Sequence, residues 1–571
     1  MKSTLVGRAR LLCAFFAAVA ALLVVRLYFV QIVHGDEYRK DATSQYVESD
    51  ADLVDRGSIY FTTKDGALVA AAVMQSGWRI AIRPSDIVNP SDTYEKLNAI
   101  TPLDRERYFT SVQKIEDPYE EVAFRLDDAA ASRVREMDAA GVILVQDEWR
   151  SYPAGILAAQ AIGFVGFRGE KRAGVYGLER EWESALAASG SGLYVNPFAE
   201  IFANVEALLS SDPAAHGGSI ITSLEPSVQG QLEKTLDEVT DAYSPKRTGG
   251  IVMDPRTGEI VAIAIRPTFD PNTYNTVVDP AIFGNPLVEG RYELGSIMKP
   301  LTVAIGLDSG GITEQTTYVD RGCIERSTKR ICNFDGKARG TVPVQEVLSQ
   351  SLNVGAAFVA EAAGDETFTA YMKKFGFDTE TGIDLPNEVE GDLSPLGTGT
   401  GPDVNYAAAA YGQGISVTPI AMIRALSALA ADGTMPHPHV TTGIRYQNGV
   451  TRALESKQPV PVISAETAHA VSNMLTKVYD TALVGGELKR EHYSIAAKTG
   501  TAQIAAPGGG YYTDRYLHSF FGYLPAHEPR FIVFLFAIEP NGVEYASASL
   551  ARPFDRLAGY LINYYDIPPD R

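Results

Sequence analysis

Apolar and polar positions change their period several times along this 571-residue chain. Residues 11–33 are apolar apart from Arg26 and Gln31, a run of the length that crosses a bilayer, which takes about 20 residues. Short stretches at 78–82 and 141–145 then alternate or run apolar in the manner of strands. A stronger pattern begins near Ile220. A helical period over 228–239 leads into apolar strands at 249–254 and 259–265, and the turn residues Pro255 to Gly258 between them predict a hairpin. Helical patterns fill the middle of the chain, among them 417–431. Three further strands are expected at 498–504, 519–524 and 531–538, separated by turn formers around Gly508 and His527, with a closing helix over 550–564. Two groups of strands with a helical body between them make an α+β arrangement, an antiparallel sheet flanked by helices.

The basic residues Lys2, Arg8 and Arg10 precede the first apolar run. Basic flanks stay inside, so 1–10 is expected as a cytoplasmic tail and 11–33 as a single transmembrane anchor in the cytoplasmic (inner) membrane. The rest of the chain is then periplasmic or extracytoplasmic. A cleaved leader is the rival reading, because Ala18-Val19-Ala20 has the small-x-small form of a cleavage site. The apolar run continues past it through Leu22, Leu23, Val24 and Val25, which favours the anchor; export follows either way. A polar, turn-rich stretch at 210–218 divides the exported part into a mixed pedestal at 34–215 and a second domain at 216–571. The net charge of -20 excludes nucleic acid as a partner, since phosphate binding needs clustered cations.

Of the three cysteines, Cys13 falls in the span, leaving Cys323 and Cys332 outside. In an oxidising compartment their spacing suits a small loop closed by a disulfide, with two free thiols as the alternative. No His or third Cys is near enough to make a metal site. Gly163, Gly166, Gly169, Gly174 and Gly177 cluster in the pedestal, but no G-K-[ST] accompanies them. Tight backbone contacts, not a nucleotide loop, are expected there.

The candidate chemistry lies in three strings that occur in one order: Ser296-Ile297-Met298-Lys299, Ser351-Leu352-Asn353 and Lys498-Thr499-Gly500-Thr501. A serine hydroxyl needs a base within hydrogen-bond reach, and residues three apart on a helix share a face. Lys299 can therefore stand beside Ser296, provided that burial and a second positive charge, naturally Lys498, lower its proton affinity. Ser296 follows a glycine and opens an apolar run, while Lys498 sits in a strand pattern. A fourth S-x-x-K, Ser111 to Lys114, has no partner motif and is expected among exposed charges. On its own Ser351 would read as a helix cap.

With the surrounding residues Tyr292-Glu293-Leu294-Gly295, Tyr411-Gly412-Gln413-Gly414 and Ala497 to Ala502, and with Asp55-Arg56-Gly57, Tyr152-Pro153 and Gly177-Leu178-Glu179 earlier in the chain, these strings resemble the class B penicillin-binding proteins. Those are membrane-anchored peptidoglycan transpeptidases. The resemblance implies the penicillin-binding serine transpeptidase fold behind a pedestal of the dimerisation type. It implies an acyl-enzyme at Ser296, Lys299 as base, Ser351 as proton relay, and Asn353 bonded to Lys299 or to the substrate amide. Lys498, Thr499 and Thr501 would hold the substrate carboxylate, Gly500 would let the backbone approach, and the backbone N–H groups of Ser296 and Thr501 would form the oxyanion hole. Peptidoglycan stem peptides are the implied substrates and β-lactams the inhibitors, and no metal or organic cofactor is needed. A multi-pass glycan polymerase and division proteins are the implied partners. The short C-terminal end resembles the cell-division type more than the elongation type. The stretch 58–64 lacks the family's usual Asp-Arg-Asn run, and the cysteine pair is not general to the family. A β-lactamase of class A would need a further E-x-x-L-N string, and the nearest match, Glu390 to Ser394, ends in serine. A penicillin-sensing receptor would need more than a ten-residue cytoplasmic tail.

Overall fold

The computed structural model of the protein describes residues 56–169, 171–187, 217–327, 329–397, 403–446 and 449–571. The expected tail at 1–10 and anchor at 11–33 lie outside them. Among the described residues no helix is long and apolar enough to cross a membrane. The chain forms two compact units, a small one described over 76–149 and a large one described over 56–75 and 150–571.

The small unit packs the helices Pro90–Asn98, Arg105–Val112 and Asp128–Glu136 around Ile80, Leu97, Tyr108, Leu126 and Val134. Each helix opens on a side chain, Asn89, Asp104 or Asp127, that accepts a backbone N–H of the first turn, satisfying a donor the helix cannot satisfy itself. Ser111 departs from the expectation. It is buried, not exposed among charges, and donates to Glu120 Oε2 at 2.8 Å, while Lys114 donates to Oε1 of the same carboxylate at 2.6 Å. Tyr108 and Ser111, three apart, share the inward face of their helix, so this S-x-x-K fastens a helix to the strand Glu120–Leu126.

In the large unit five strands run in the order Ala496–Ala505, Tyr511–Leu524, Phe531–Ile538, Arg247–Met253 and Ile260–Arg266, every neighbouring pair antiparallel. The sheet is covered on both faces, which is why Phe531–Ile538 reads as an unbroken apolar run and not as an alternation. Val533 and Leu535 pack with Val228, Leu232, Leu557 and Leu561, from the helices Pro226–Tyr243 and Ala551–Tyr564. Phe534 and Phe536 join a core on the opposite face with Leu301, Ile305, Leu426 and Leu475, from Lys299–Asp308, Pro419–Ala430 and Ala465–Lys477. The strand expected at 519–524 begins eight residues earlier, at Tyr511. Its first half is an exposed hairpin arm bearing Thr513, Asp514 and Arg515, which hides the apolar period.

Within the same unit Glu179 is buried between two arginines: Arg56 Nε donates to Oε2 at 2.8 Å and Arg150 Nε to Oε1 at 2.6 Å. The glycine cluster beside it is a set of backbone contacts. A Cβ on Gly174 would fall 1.9 Å from the Glu179 carbonyl oxygen, and one on Gly163 would fall 1.8 Å from that of Tyr176. Burial pushes the Glu179 carboxyl up, but the Arg150 and Arg56 guanidiniums outweigh it and hold it below the ordinary carboxylate value. A depressed carboxyl contributes stability above its unfolded value, near 4.3, and loses it as pH falls through the folded value. Glu179→Ala, which leaves both guanidiniums buried without their shared partner, is expected to cost about 3–5 kcal/mol and to flatten the acid decline of stability. Denaturant unfolding between about pH 3 and 7 measures both.

Candidate active site

The nucleophile candidate sits where the chain turns against the edge of the sheet. Gly295, at φ 66°, donates its N–H to Gly412 O at 3.0 Å, and a Cβ there would lie 3.0 Å from Thr501 O. The 3-10 turn Gly295–Met298 then runs into the helix Lys299–Asp308. Pro300 fits its first turn because that N–H has no intrahelical acceptor to lose. Side chains three apart eclipse in a 3-10 turn, so Ser296, half-buried, and Lys299, fully buried, lie on one side. The strand Ala496–Ala505 presses on this turn through Gly500, where a Cβ would fall 2.6 Å from Leu294 O and 2.3 Å from Ser519 Oγ. Ser519 Oγ fastens the same point by donating to Leu294 O at 2.7 Å.

Behind the turn the second and third strings meet Lys299. Its Nζ donates to Ser351 O at 2.5 Å, to Ser351 Oγ at 3.1 Å and to Asn353 Oδ1 at 2.8 Å. Lys498 Nζ donates to the same Ser351 Oγ at 3.0 Å and to Thr499 O at 3.0 Å. One hydroxyl thus bridges two buried amines, and because it accepts from both, its own hydrogen is left to point elsewhere. Ser351 reaches this position with φ 55°, a left-handed conformation that costs a non-glycine residue about 1–3 kcal/mol and concentrates at functional sites. It is what turns both the carbonyl and the hydroxyl of Ser351 onto one ammonium.

Burial, and secondarily the Lys498 charge, push the Lys299 amine well below its ordinary value of 10.5. Burial likewise pushes Lys498 down to about 7. Burial thus moves both amines toward the free-base form, the electrostatic condition for drawing a proton from a serine.

Thr499 and Thr501 are half-buried on the same strand, and Thr501 Oγ1 accepts from Ala546 N at 3.0 Å. Ala496–Ala505 is the terminal strand of its sheet, so one of its backbone edges has no strand partner there, the arrangement to which an extended peptide can add. Cys323 and Cys332 are joined by a disulfide across the hairpin of Cys323–Arg326 and Lys329–Cys332. That hairpin reaches the site, for Asn353 Nδ2 donates to Cys332 O at 2.9 Å. Lys299, Ser351, Asn353 and Lys498 are thus bonded around one point, and Ser296 stands one turn before Lys299 where Gly500 presses on the chain. Ser519 was not anticipated from the sequence, since it acts through a contact between distant segments and belongs to no local pattern.

A family model described as the penicillin binding protein transpeptidase domain matches residues 248–557, and one for the penicillin-binding protein dimerisation domain matches residues 52–200. Stage V sporulation protein D of Bacillus subtilis is 29% identical over 562 residues, covering 96% of this chain and 85% of its own length. Penicillin-binding protein PbpB of Mycobacterium tuberculosis is 25% identical over 591 residues, covering 97% and 84%. The crystal structure of penicillin binding protein 3 from Mycobacterium tuberculosis, complexed with aztreonam, aligns with a TM-score of 0.68 at 23% identity, over 91% of this chain and 98% of that one. The transpeptidase match alone spans more than half of the chain and follows a dimerisation match, an order that places the protein: it belongs to the class B penicillin-binding proteins, as a serine-type D-Ala-D-Ala transpeptidase.

Proposed function

We propose that this protein cross-links peptidoglycan stem peptides through an acyl-enzyme at Ser296 during septal wall synthesis. Its catalytic region is taken as 216–571, carried on a pedestal at 34–215 and anchored by 11–33 in the cytoplasmic membrane, with the tail 1–10 inside. Lys299, as free amine, takes the proton of Ser296 while Oγ attacks the carbonyl of the penultimate D-alanine. The backbone N–H groups of Ser296 and Thr501 receive the developing oxyanion, each such donor lowering the barrier by about 3 kcal/mol. Lys498, Thr499 and Thr501 hold the terminal carboxylate, and Gly500 lets the donor strand lie close. As the C–N bond breaks, the proton passes from Lys299 through Ser351 to the departing D-alanine. An amine of a neighbouring stem then attacks the ester carbonyl, its proton returns by the same path, and Ser296 is released. β-lactams acylate the same serine. A multi-pass glycan polymerase and division proteins are the partners that this reading calls for.

The observation that carries the proposal is the Ser351 hydroxyl held between Lys299 and Lys498, a ready path from the base to a leaving group. The test is incubation of the full-length protein in lipid nanodiscs with uncross-linked peptidoglycan. Cross-linked stems and free D-alanine in equal amounts are expected, with a penicillin adduct that persists for many turnover times. Rapid release of hydrolysed penicillin without cross-links would make it a β-lactamase instead. For the septal role, a tagged copy is expected at midcell; lateral-wall patches would assign it to elongation.

A further inference from the structure

We propose that Asn333, held by Asp320, is a positioning residue that sets the orientation of Asn353 and through it the Lys299 amine. This rests on the reading of Lys299 as the base and extends it to a segment outside the three strings. The helix Asn353–Ala363 begins without a side-chain cap of its own, because Leu352 stands at the capping position. The missing acceptor comes from elsewhere in the chain: Asn333 Oδ1 accepts from Val354 N at 3.1 Å, the type of bond a capping Asn or Ser would ordinarily supply. One residue earlier in each segment, Cys332 O accepts from Asn353 Nδ2 at 2.9 Å. Two consecutive residues, 332 and 333, thus fasten two consecutive residues, 353 and 354.

The bond from Asn353 Nδ2 to Cys332 O fixes which way the Asn353 amide faces. With Nδ2 on a carbonyl oxygen, Oδ1 is left for Lys299 at 2.8 Å; turned over, the amide would oppose its N–H groups to the ammonium and its oxygen to a carbonyl. Asn333 is in turn fixed from behind. Its Nδ2 donates to both oxygens of Asp320, at 2.9 and 3.0 Å, and Asp320 also accepts from Arg339 N at 2.9 Å and Gly322 N at 3.2 Å. Asn333 N donates to Gly322 O at 2.8 Å. Both side chains are buried, Asp320 1% and Asn333 3% exposed, where an unmade bond is costly, and the disulfide closes the hairpin that ends at Cys332. Around Lys299 the strand contributes the charge of Lys498, and the 351–353 segment contributes neutral acceptors. Loosening the acceptor Asn353 withdraws a partner that favours the ammonium, so the proton affinity of Lys299 falls further.

The test is the second-order rate constant of acylation by a fluorescent penicillin, followed over about pH 5 to 9 on the full-length protein in nanodiscs, with the thermal midpoint recorded alongside. Asn333→Ala is expected to lower the constant about tenfold, about 1.4 kcal/mol of barrier, and to move the acid limb to lower pH. Asn333→Asp keeps the acceptor for Val354 but faces Asp320 with a like charge, so it also loses rate. The exchange Asp320→Asn with Asn333→Asp restores a donor–acceptor pair and is expected to recover most of the loss. That comparison carries the test if the alanine variant does not fold. An unchanged constant in Asn333→Ala, a lower constant with an unmoved acid limb, or an exchange that recovers the thermal midpoint without the rate would each overturn the proposal. A wild-type protein that takes no label at Ser296 would instead remove the reading on which it rests.

Discussion

Ser296→Ala is expected to take no covalent label from a fluorescent penicillin at any time or concentration, and to form no cross-linked stems. The reason is specific to the geometry. Lys299, Ser351, Asn353 and Lys498 remain bonded to one another in the variant, since these hydrogen bonds run without the Ser296 side chain. What disappears is the hydroxyl that the proposed reaction turns into an ester. Ser296 is half-buried and its backbone is held by the turn, so the variant is expected to fold with a thermal midpoint close to wild type. It should still bind the ligand reversibly through the strand of Lys498 and Thr501. Intact-protein mass spectrometry after incubation with penicillin reads the result directly: a mass increase in Ser296→Ala would place the nucleophile elsewhere and sink the assignment. The other S-x-x-K serves as the control. Ser111→Ala should keep full labelling and lose about 1 kcal/mol of stability in the small unit, because Glu120 loses one donor and keeps Lys114.

Much of this architecture was legible in the sequence because its signals are local. The strands 249–254, 259–265 and 531–538 were readable as apolar runs with turn formers between them; the observed Arg247–Met253 and Ile260–Arg266 differ by one or two residues at their ends, and Phe531–Ile538 has the expected bounds. The three strings were readable because each pairs a reactive side chain with a fixed offset. What was not legible depends on contacts between distant segments. Nothing around Ser351 announces a left-handed backbone; that conformation goes with the bonds that its carbonyl and hydroxyl make to Lys299, 52 residues away in sequence. The charged neighbours Arg105, Glu106, Arg107 and Lys114 dominate the surroundings of Ser111 in sequence and outweigh Tyr108, Phe109 and Val112, which mark the side that turns inward. Asn333 was invisible for the same reason as Ser519: each meets its partner through the fold, and a single Asn or Ser carries no pattern of its own.

Lys299 can be separated into its charge and its basicity. Lys299→Met removes both and is expected to slow acylation about a hundred- to ten-thousand-fold, the range of a positioned general base. Lys299→Arg keeps a cation that can still donate toward Ser351 and Asn353 but gives up no proton near neutral pH. If Lys299 acted only as a fixed positive charge beside the hydroxyl, Arg would rescue; as the base, it leaves the rate as low as Met does. The pH profile gives the sign independently. The reactive form is the neutral amine, so the wild-type rate rises as pH rises through the Lys299 value, and burial together with Lys498 brings that rise down from 10.5. Taking away the neighbouring charge in Lys498→Gln removes one of these two causes, so the acid limb should move to higher pH, beside whatever is lost in binding the carboxylate. The limb is read from acylation constants under single-turnover conditions across about pH 5 to 10. A limb that stays in place or moves downward in Lys498→Gln would mean that the titrating group is not Lys299, and full activity in Lys299→Arg would mean that no proton is taken there at all.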